Sequence, residues 1–417
     1  MSRIVIVGAS LAGTQAAQTI RRGGFDGDLV MVGDEPHFPY DRPPLSKNYL
    51  VDDEVDEERL RLRPTADPEA LGIDWRLGRD AVALDGQNST VELDDGERLA
   101  YDGLIIATGA RPRRLPGSDA LPAGVCELRT LDDARALRAA LSVPDVRVVV
   151  CGAGFIGAEV AASARERGLQ VTLIDAAASP LDRVLDVAAG MAVADLHRGH
   201  GVDVRLGVGV AGFEADDTTG RVAGVTLSDG STVPADVVVV GIGVIPNTEW
   251  LAGSGLVVGS SPADDGVLVD ETCLAAPGIF AAGDVARWPN RRFGGQQMRV
   301  EQWDNAVEMG MYVGKRILSE LEQTSDEESQ AAEPFQPVPW FWSDQYDRKI
   351  QLAGLTTAEV EVVQGSLAEQ RFVQLYSDEQ GMLAGALCWN RPRQAIQARQ
   401  LVAAGTTMAE ARQQLGE

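Results

Sequence analysis

The stretch VRVVVCGAGFIGAE, Val146–Glu159, is a run of β-branched residues that breaks into glycines at 152, 154 and 157 and then continues through small residues. That is the pattern of a buried strand, a tight turn and the start of a helix. Gly152 permits the turn, Gly154 lets the backbone approach a phosphate, and Gly157 lets helix and strand close on one another. The helix N-terminus, reached through Phe155 and Ile156, offers unpaired N–H groups and the positive end of its dipole to a diphosphate. An acid is expected at the end of the next strand, and Asp175 stands 23 positions after Gly152. No cation follows Asp175 closely (Arg183 is eight residues on), so NADH is favoured over NADPH. The chain opens on a near-copy, MSRIVIVGASLAG at 1–13, with Gly8 and Gly13 in place and Asp34 and Glu35 as the acids 26 and 27 positions after Gly8. Ser10 replaces the middle glycine; it is small, and its hydroxyl can donate to phosphate. One glycine turn alone is weak, but two, each leaving a strand, opening a helix and meeting an acid, imply two dinucleotide sites. The first is read as holding a cofactor with altered phosphate placement, the second an exchangeable dinucleotide.

Outward from these turns, residues 3–7, 11–22 and 29–32 form one βαβ unit, and 146–151, 156–167 and 170–174 repeat it. Each unit is followed by strand-like runs ending in small residues: VELDDGERLAYDGLIIATGARPR (91–113), with Ala107, Thr108 and Gly109, and VTLSDGSTVPADVVVVGIGVIPNT (225–248), with Gly243. GVLVDETCLAAPGIFAAGDVAR (266–287) adds strand, turn and strand before Gly283-Asp284. An acidic, proline-containing stretch near 319–339 reads as a linker, and beyond it KIQLAGL, EVEVVQGS, QRFVQLYS and GMLAGALCWN read as strands, with RQAIQARQLVAAG and MAEARQQL as helices. The expected architecture is α/β: two Rossmann-like domains plus a C-terminal α+β domain. The segments are 1–110 and 246–320 for the first dinucleotide-binding domain, 111–245 for the second, 321–339 as linker and 340–417 as the C-terminal domain.

At 417 residues and a net charge of −25, the chain is long enough for several domains and too acidic for nucleic acid or anionic membrane to be general partners. It has no apolar run long enough to span a bilayer. Its start leaves no room for a signal peptide, and its four dispersed cysteines fit a reducing cytoplasm. His197 and His200 share a helix face and read as surface residues rather than metal ligands.

The ordered set FPYDRPPLSKNYL (38–50), LRTLDDA, GAGFIGAEVA, GDVAR, RVEQWDNA and WFWSDQY resembles the ferredoxin reductase family of oxygenase systems, on a fold similar to that of glutathione reductase. The resemblance implies FAD held by Gly8, Ser10, Ala12, Gly13 and Asp34. Arg42 and Lys47 are implied near its phosphates or ring, and Val82, Ala107, Thr108, Gly109, Arg129, Asp284 and Trp303 complete the site. On the NAD side it implies Gly152, Gly154, Phe155, Ile156, Gly157, Glu159, Asp175, Arg183 and Gly243. Lys47 and Glu159 carry the catalytic roles: a cation beside the flavin, and a carboxylate for the nicotinamide carboxamide, the two residues forming a pair. Phe155 reads either as core or as a cover for the flavin face. WFWSDQY reads either as core or as an electron path. The flavin-side segment PYDRPPLSK lacks the cysteine of glutathione reductase relatives, so electrons must leave to an outside acceptor. The implied acceptor is a [2Fe–2S] ferredoxin, docking through Arg287, Arg291, Arg292, Arg391 and Arg393, with Arg299 and Arg399 nearby in sequence. The implied oligomeric state is a monomer or weak homodimer. Alternatives are a rubredoxin reductase, an NADH oxidase, and a signalling flavoprotein like apoptosis-inducing factor, which the −25 charge disfavours.

Overall fold

Ile4, Val5, Ile6 and Val7 are all buried, as a strand covered on both faces requires. In the computed structural model, which describes residues 2–63, 70–115, 121–259, 261, 264–322 and 332–416, the strand Arg3–Val7 lies inside a six-stranded sheet. Its neighbours are Asp28–Gly33 and Gly103–Ile106, both parallel, with Asp74–Leu77, Ile279–Ala281 and Leu274–Ala276 further out. Helix Leu11–Arg22 packs along helix Trp303–Glu322, where Gly310 and Gly314 are required: a Cβ on Gly310 would lie 2.4 Å from the Ala12 carbonyl oxygen.

The copy repeats the logic. Arg147–Cys151 is flanked in parallel by Gln170–Asp175 and Val237–Val240, with Asp203–Leu206 and Val125–Cys126 at the edges. The C-terminal region is an antiparallel sheet of Trp340–Gln345, Arg348–Gly354, Leu383–Trp389, Arg371–Ser377 and Glu359–Ser366, followed by helices Pro392–Ala404 and Met408–Leu415. The expected α/β class, with Rossmann-like sheets and a C-terminal sheet domain, is the one observed.

The described chain divides into two compact units: 1–41, 56–111 and 245–339, and 42–55, 112–244 and 340–417. Two features differ from the segments read in the sequence. Residues 42–55 pack with the second unit, and the C-terminal sheet joins that unit too. There Phe341, Ile350, Leu352, Phe372, Leu387 and Trp389 share one apolar core with Leu185, Ala189, Val193 and Leu196, most of them from helix Val187–Gly199. The linker reading also needs correction. Residues 321–322 end a helix, 323–331 lie outside the described residues, and 332–339 are packed onto the first unit rather than free. The Trp288 indole N–H donates to the Phe335 carbonyl at 3.2 Å, and Asn290 to that of Pro337 at 3.0 Å.

Gly8 combines a left-handed backbone (φ +125°) with a carbonyl in its face: a Cβ there would sit 2.0 Å from Ala107 O. Gly8→Ala is therefore expected to destabilise the protein by more than about 4 kcal/mol. Gly24→Ala, also at positive φ (+91°) but with no heavy atom within 4 Å of the added Cβ, should cost only about 1–3 kcal/mol of backbone strain. Thermal melts of the two variants check this; equal losses would contradict the close approach.

Candidate functional site

In the first unit, Ser10 caps helix Leu11–Arg22 in an extended conformation, but its side chain makes no capping bond, so no side chain competes there for the first-turn N–H groups. Gly13 lies so close to the turn that a Cβ would be 2.2 Å from Gly8 O. At the end of the next strand Asp34 is exposed, while Glu35 accepts from the Tyr40 hydroxyl at 2.5 Å. Ala107 donates its N–H to Val7 O at 2.7 Å, and Thr108 exchanges two hydrogen bonds with Asn247, whose backbone N–H reaches Gly109 O. Asp284 sits in the short turn Gly283–Val285 after a buried strand, its carbonyl accepting from Arg299 Nη1 at 3.1 Å. Trp303 opens its helix with the indole N–H on Asp41 Oδ1 at 2.6 Å. Val82 is 47% exposed on strand Ala81–Asp85.

The expected docking arginines need a correction here. The Arg287 side chain is 12% exposed and that of Arg299 is 9%, and both are bound to Asp265, at 3.4 and 2.7 Å. An arginine committed to an interior carboxylate brackets the Asp284 turn rather than presenting charge to a partner. Arg291 is exposed but forms a two-pronged pair with Glu271, and Arg292 donates to Gln336 O at 3.0 Å.

In the second unit the glycine turn is open where it needs to be. A Cβ on Gly154 would meet nothing within 4 Å, whereas one on Gly157 would collide with Gly152 O at 1.8 Å. Gly154 caps helix Phe155–Glu166 without a side chain, leaving Phe155 and Ile156 in its first turn. The Asp175 carboxylate accepts from the Ala153 and Ala177 N–H groups at 2.5 and 2.7 Å, which fixes it beside the turn. The Arg183 guanidinium lies against Gly243, 3.4 Å from where a Cβ would be. Arg42 donates to the Arg129 carbonyl at 2.6 Å, bringing those two residues together.

The sequence pair Lys47 and Glu159 meets directly: Nζ lies 2.7 Å from Oε2. Glu159 is 5% exposed and also accepts from the Ser46 hydroxyl at 2.5 Å and the Ser343 hydroxyl at 2.7 Å. A buried carboxylate needs such partners. Lys47 is 16% exposed and donates further to Pro43 O at 3.1 Å. Ser46 is held in turn by the neighbourhood, its carbonyl accepting from Ser163 Oγ at 2.8 Å. Phe155 and Phe341 stack edge-to-face at 4.5 Å, and Trp340 lies over the Arg399 guanidinium. WFWSDQY therefore alternates: Phe341, Ser343 and Gln345 point into the second unit's core, and the two tryptophans do not.

His197 corrects a surface expectation. It is fully buried, and burial pushes its pKa down to about 4. The proton therefore favours the unfolded chain. Above pH ~6.5 the residue is neutral in both states; as pH falls from there towards 4, about 3 kcal/mol of stability is lost through this site. Denaturant melts should show the advantage of wild type over His197→Gln shrinking by about that amount across this window; a constant difference would contradict it.

All four cysteines are free thiols, and burial raises each above its ordinary pKa, Cys151 and Cys388 to about 12. None is built to act as a thiolate.

Residues 2–310 match the family described as pyridine nucleotide-disulphide oxidoreductase, and 340–414 match the reductase C-terminal domain. The chain belongs to the pyridine nucleotide-disulphide oxidoreductase family. Within it, the chain is 41% identical over 403 residues to rhodocoxin reductase of Rhodococcus erythropolis (96% of this chain, 89% of that one). It is 37% identical to putidaredoxin reductase of Pseudomonas putida (96% and 91%). Among solved structures, putidaredoxin reductase in its covalent complex with putidaredoxin superposes with a TM-score of 0.87 at 36% identity, over 97% of this chain and 93% of that one. The ferredoxin reductase for the CYP199A2 system of Rhodopseudomonas palustris gives 0.89 at 36% identity, over 100% and 98%. The resemblance read from the motifs is thereby borne out, and FAD and NAD(H) are the cofactors of this family reading. The two glycine cradles fit a dinucleotide each. No helix among the described residues is long and apolar enough to cross a membrane.

Ser46, Ser343 and Asp41 escaped the sequence reading, and Arg299 reads in the sequence as a surface charge. Ser46 adjoins Lys47 and could have been flagged; Ser343, 184 residues from Glu159, carries no local signal.

Proposed function

We propose that this chain is an NADH-dependent FAD reductase that delivers electrons to a [2Fe–2S] ferredoxin serving a haem-thiolate monooxygenase or a Rieske dioxygenase. The observation that carries it is the buried Lys47–Glu159 pair in a segment without cysteine, within a chain whose four thiols are inert. The relatives are reductases named for rhodocoxin and putidaredoxin, and others are components of dioxygenase systems.

FAD supplies a ring that takes a hydride from NADH as two electrons and releases electrons singly. In the first unit, Gly8, Ser10, Ala12 and Gly13 would hold its diphosphate, Asp34 its ribose and Asp284 its ribityl hydroxyls, with Ala107, Thr108, Gly109, Val82 and Trp303 completing that unit's share. Arg42 and Arg129, which meet in the second unit, are carried as FAD residues by the family resemblance. Lys47 would set a positive charge against the charge that develops on reduction. Glu159 would orient the nicotinamide carboxamide, and Gly152, Gly154, Phe155, Ile156, Gly157, Asp175, Arg183 and Gly243 would hold the rest of NADH. The purified protein should be yellow with one FAD; a colourless protein that gains no flavin absorbance on refolding with FAD would contradict the reading.

Ferredoxin docking falls to Arg391 and Arg393 at the start of helix Pro392–Ala404, and to Arg292, with Arg291 partly neutralised by Glu271. Reversing Arg391 and Arg393 to Glu should slow ferredoxin reduction several-fold and leave ferricyanide reduction unchanged, and ferredoxin turnover should fall as salt rises. Insensitivity to both would move docking to another surface. We place the reductase in the cytoplasm, where its free thiols fit, as a monomer or weak homodimer.

A further inference from the structure

The strand Trp340–Gln345 touches two helices at three successive inward positions. Phe341 meets Phe155, Ser343 meets Glu159, and Gln345 meets His197. The polar contacts join into one chain. Gln345 Nε2 donates to Ser343 Oγ at 3.1 Å, its Oε1 lies 3.1 Å from His197 Nε2, and the Tyr346 hydroxyl lies 3.0 Å from His197 Nδ1. Ser343, Gln345 and His197 are all fully buried.

The direction of every bond follows from its end point. A carboxylate only accepts, so the Ser343 hydroxyl donates to Glu159. Ser343 Oγ then takes its own hydrogen bond from the Gln345 amide N–H. That turns the Gln345 carbonyl oxygen towards His197, whose Nε2 must carry the proton. Nδ1 is left as acceptor for the Tyr346 O–H. All four donors point the same way, towards Glu159, and bonds aligned in this manner polarise one another.

We propose that Ser343, Gln345 and His197 are positioning residues, a one-way hydrogen-bond chain from the C-terminal sheet that fixes the Glu159 carboxylate and, through it, the Lys47 ammonium. This rests on the reading that Lys47 and Glu159 serve hydride transfer. It makes the C-terminal domain part of the reaction apparatus as well as a place for docking.

Two measurements test it. The first needs no variant: nitrogen-15 NMR of labelled histidine, with only His37, His197 and His200 to assign, should show His197 as the Nε2–H tautomer at neutral pH. The Nδ1–H tautomer would overturn the chain. The second is rapid-mixing reduction of the bound FAD by NADH. Ser343→Ala should lower the limiting rate about tenfold with less than about threefold change in the apparent dissociation constant of NADH, since one hydrogen bond to a charged group is lost. Ser343→Thr, which keeps the hydroxyl, should recover to within about threefold of wild type. In Ser343→Ala the His197 signals should shift towards a mixture of tautomers. If Ser343→Ala reduces at the wild-type rate while Lys47→Ala and Glu159→Gln are slow, the positioning role is wrong and the pair's role stands. If those two variants are also unimpaired, the pair's role fails and the proposal falls with it.

Discussion

Glu159→Ala is expected to lower the stability of the protein by about 3–5 kcal/mol and the rate of hydride transfer from NADH by at least about a hundredfold. The change leaves the Lys47 ammonium in a mostly covered position with, among the described residues, the Pro43 carbonyl as its remaining partner, and takes the acceptor away from the Ser46 and Ser343 hydroxyls. Stability and chemistry can be separated. In the double variant Lys47→Met/Glu159→Leu no uncompensated charge remains, so part of the lost stability should return while hydride transfer does not. Urea melts and rapid-mixing reduction on the same preparations check both halves. Recovery of the rate along with the stability would mean that the pair is structural only.

Asp175→Asn should collapse the preference for NADH. Wild type should favour NADH over NADPH by more than about tenfold in kcat/KM, because the carboxylate would face the 2′-phosphate as a like charge. The carboxylate is held beside the turn by two backbone N–H donors, from Ala153 and Ala177, at 2.5 and 2.7 Å. The amide keeps the shape and removes the charge, so activity with NADPH should rise and activity with NADH fall until the two lie within about threefold. A wild type indifferent to the 2′-phosphate would show that another residue sets the cofactor preference.

Much of this was legible in the chain because its signals are local. The glycine turns have a strand before and a helix after them, and both sheets form around Arg3–Val7 and Arg147–Cys151 as the apolar runs require. The Lys47–Glu159 pair was legible only through resemblance, since 112 residues separate the partners. What stayed hidden depends on which elements pack together. His197 is buried because the C-terminal sheet covers helix Val187–Gly199, and nothing in the helix's own pattern announces that cover. Arg287 and Arg299 look like a basic surface in RWPNRRFGGQQMR, yet Asp265, remote in sequence, draws both inward. Ser343 follows the same rule: its neighbours in sequence are aromatic and acidic, and its partner belongs to another part of the fold.

The central claim is that electrons pass from NADH to an iron–sulfur protein without a thiol. The direct measurement is NADH-driven reduction of a purified [2Fe–2S] ferredoxin, followed at the ferredoxin's visible absorbance, before and after alkylation of the accessible cysteines. The account predicts rapid ferredoxin reduction, the same after alkylation, and abolished by Lys47→Ala. Reduction of a disulfide substrate in place of ferredoxin, or loss of ferredoxin reduction on alkylation, would contradict it.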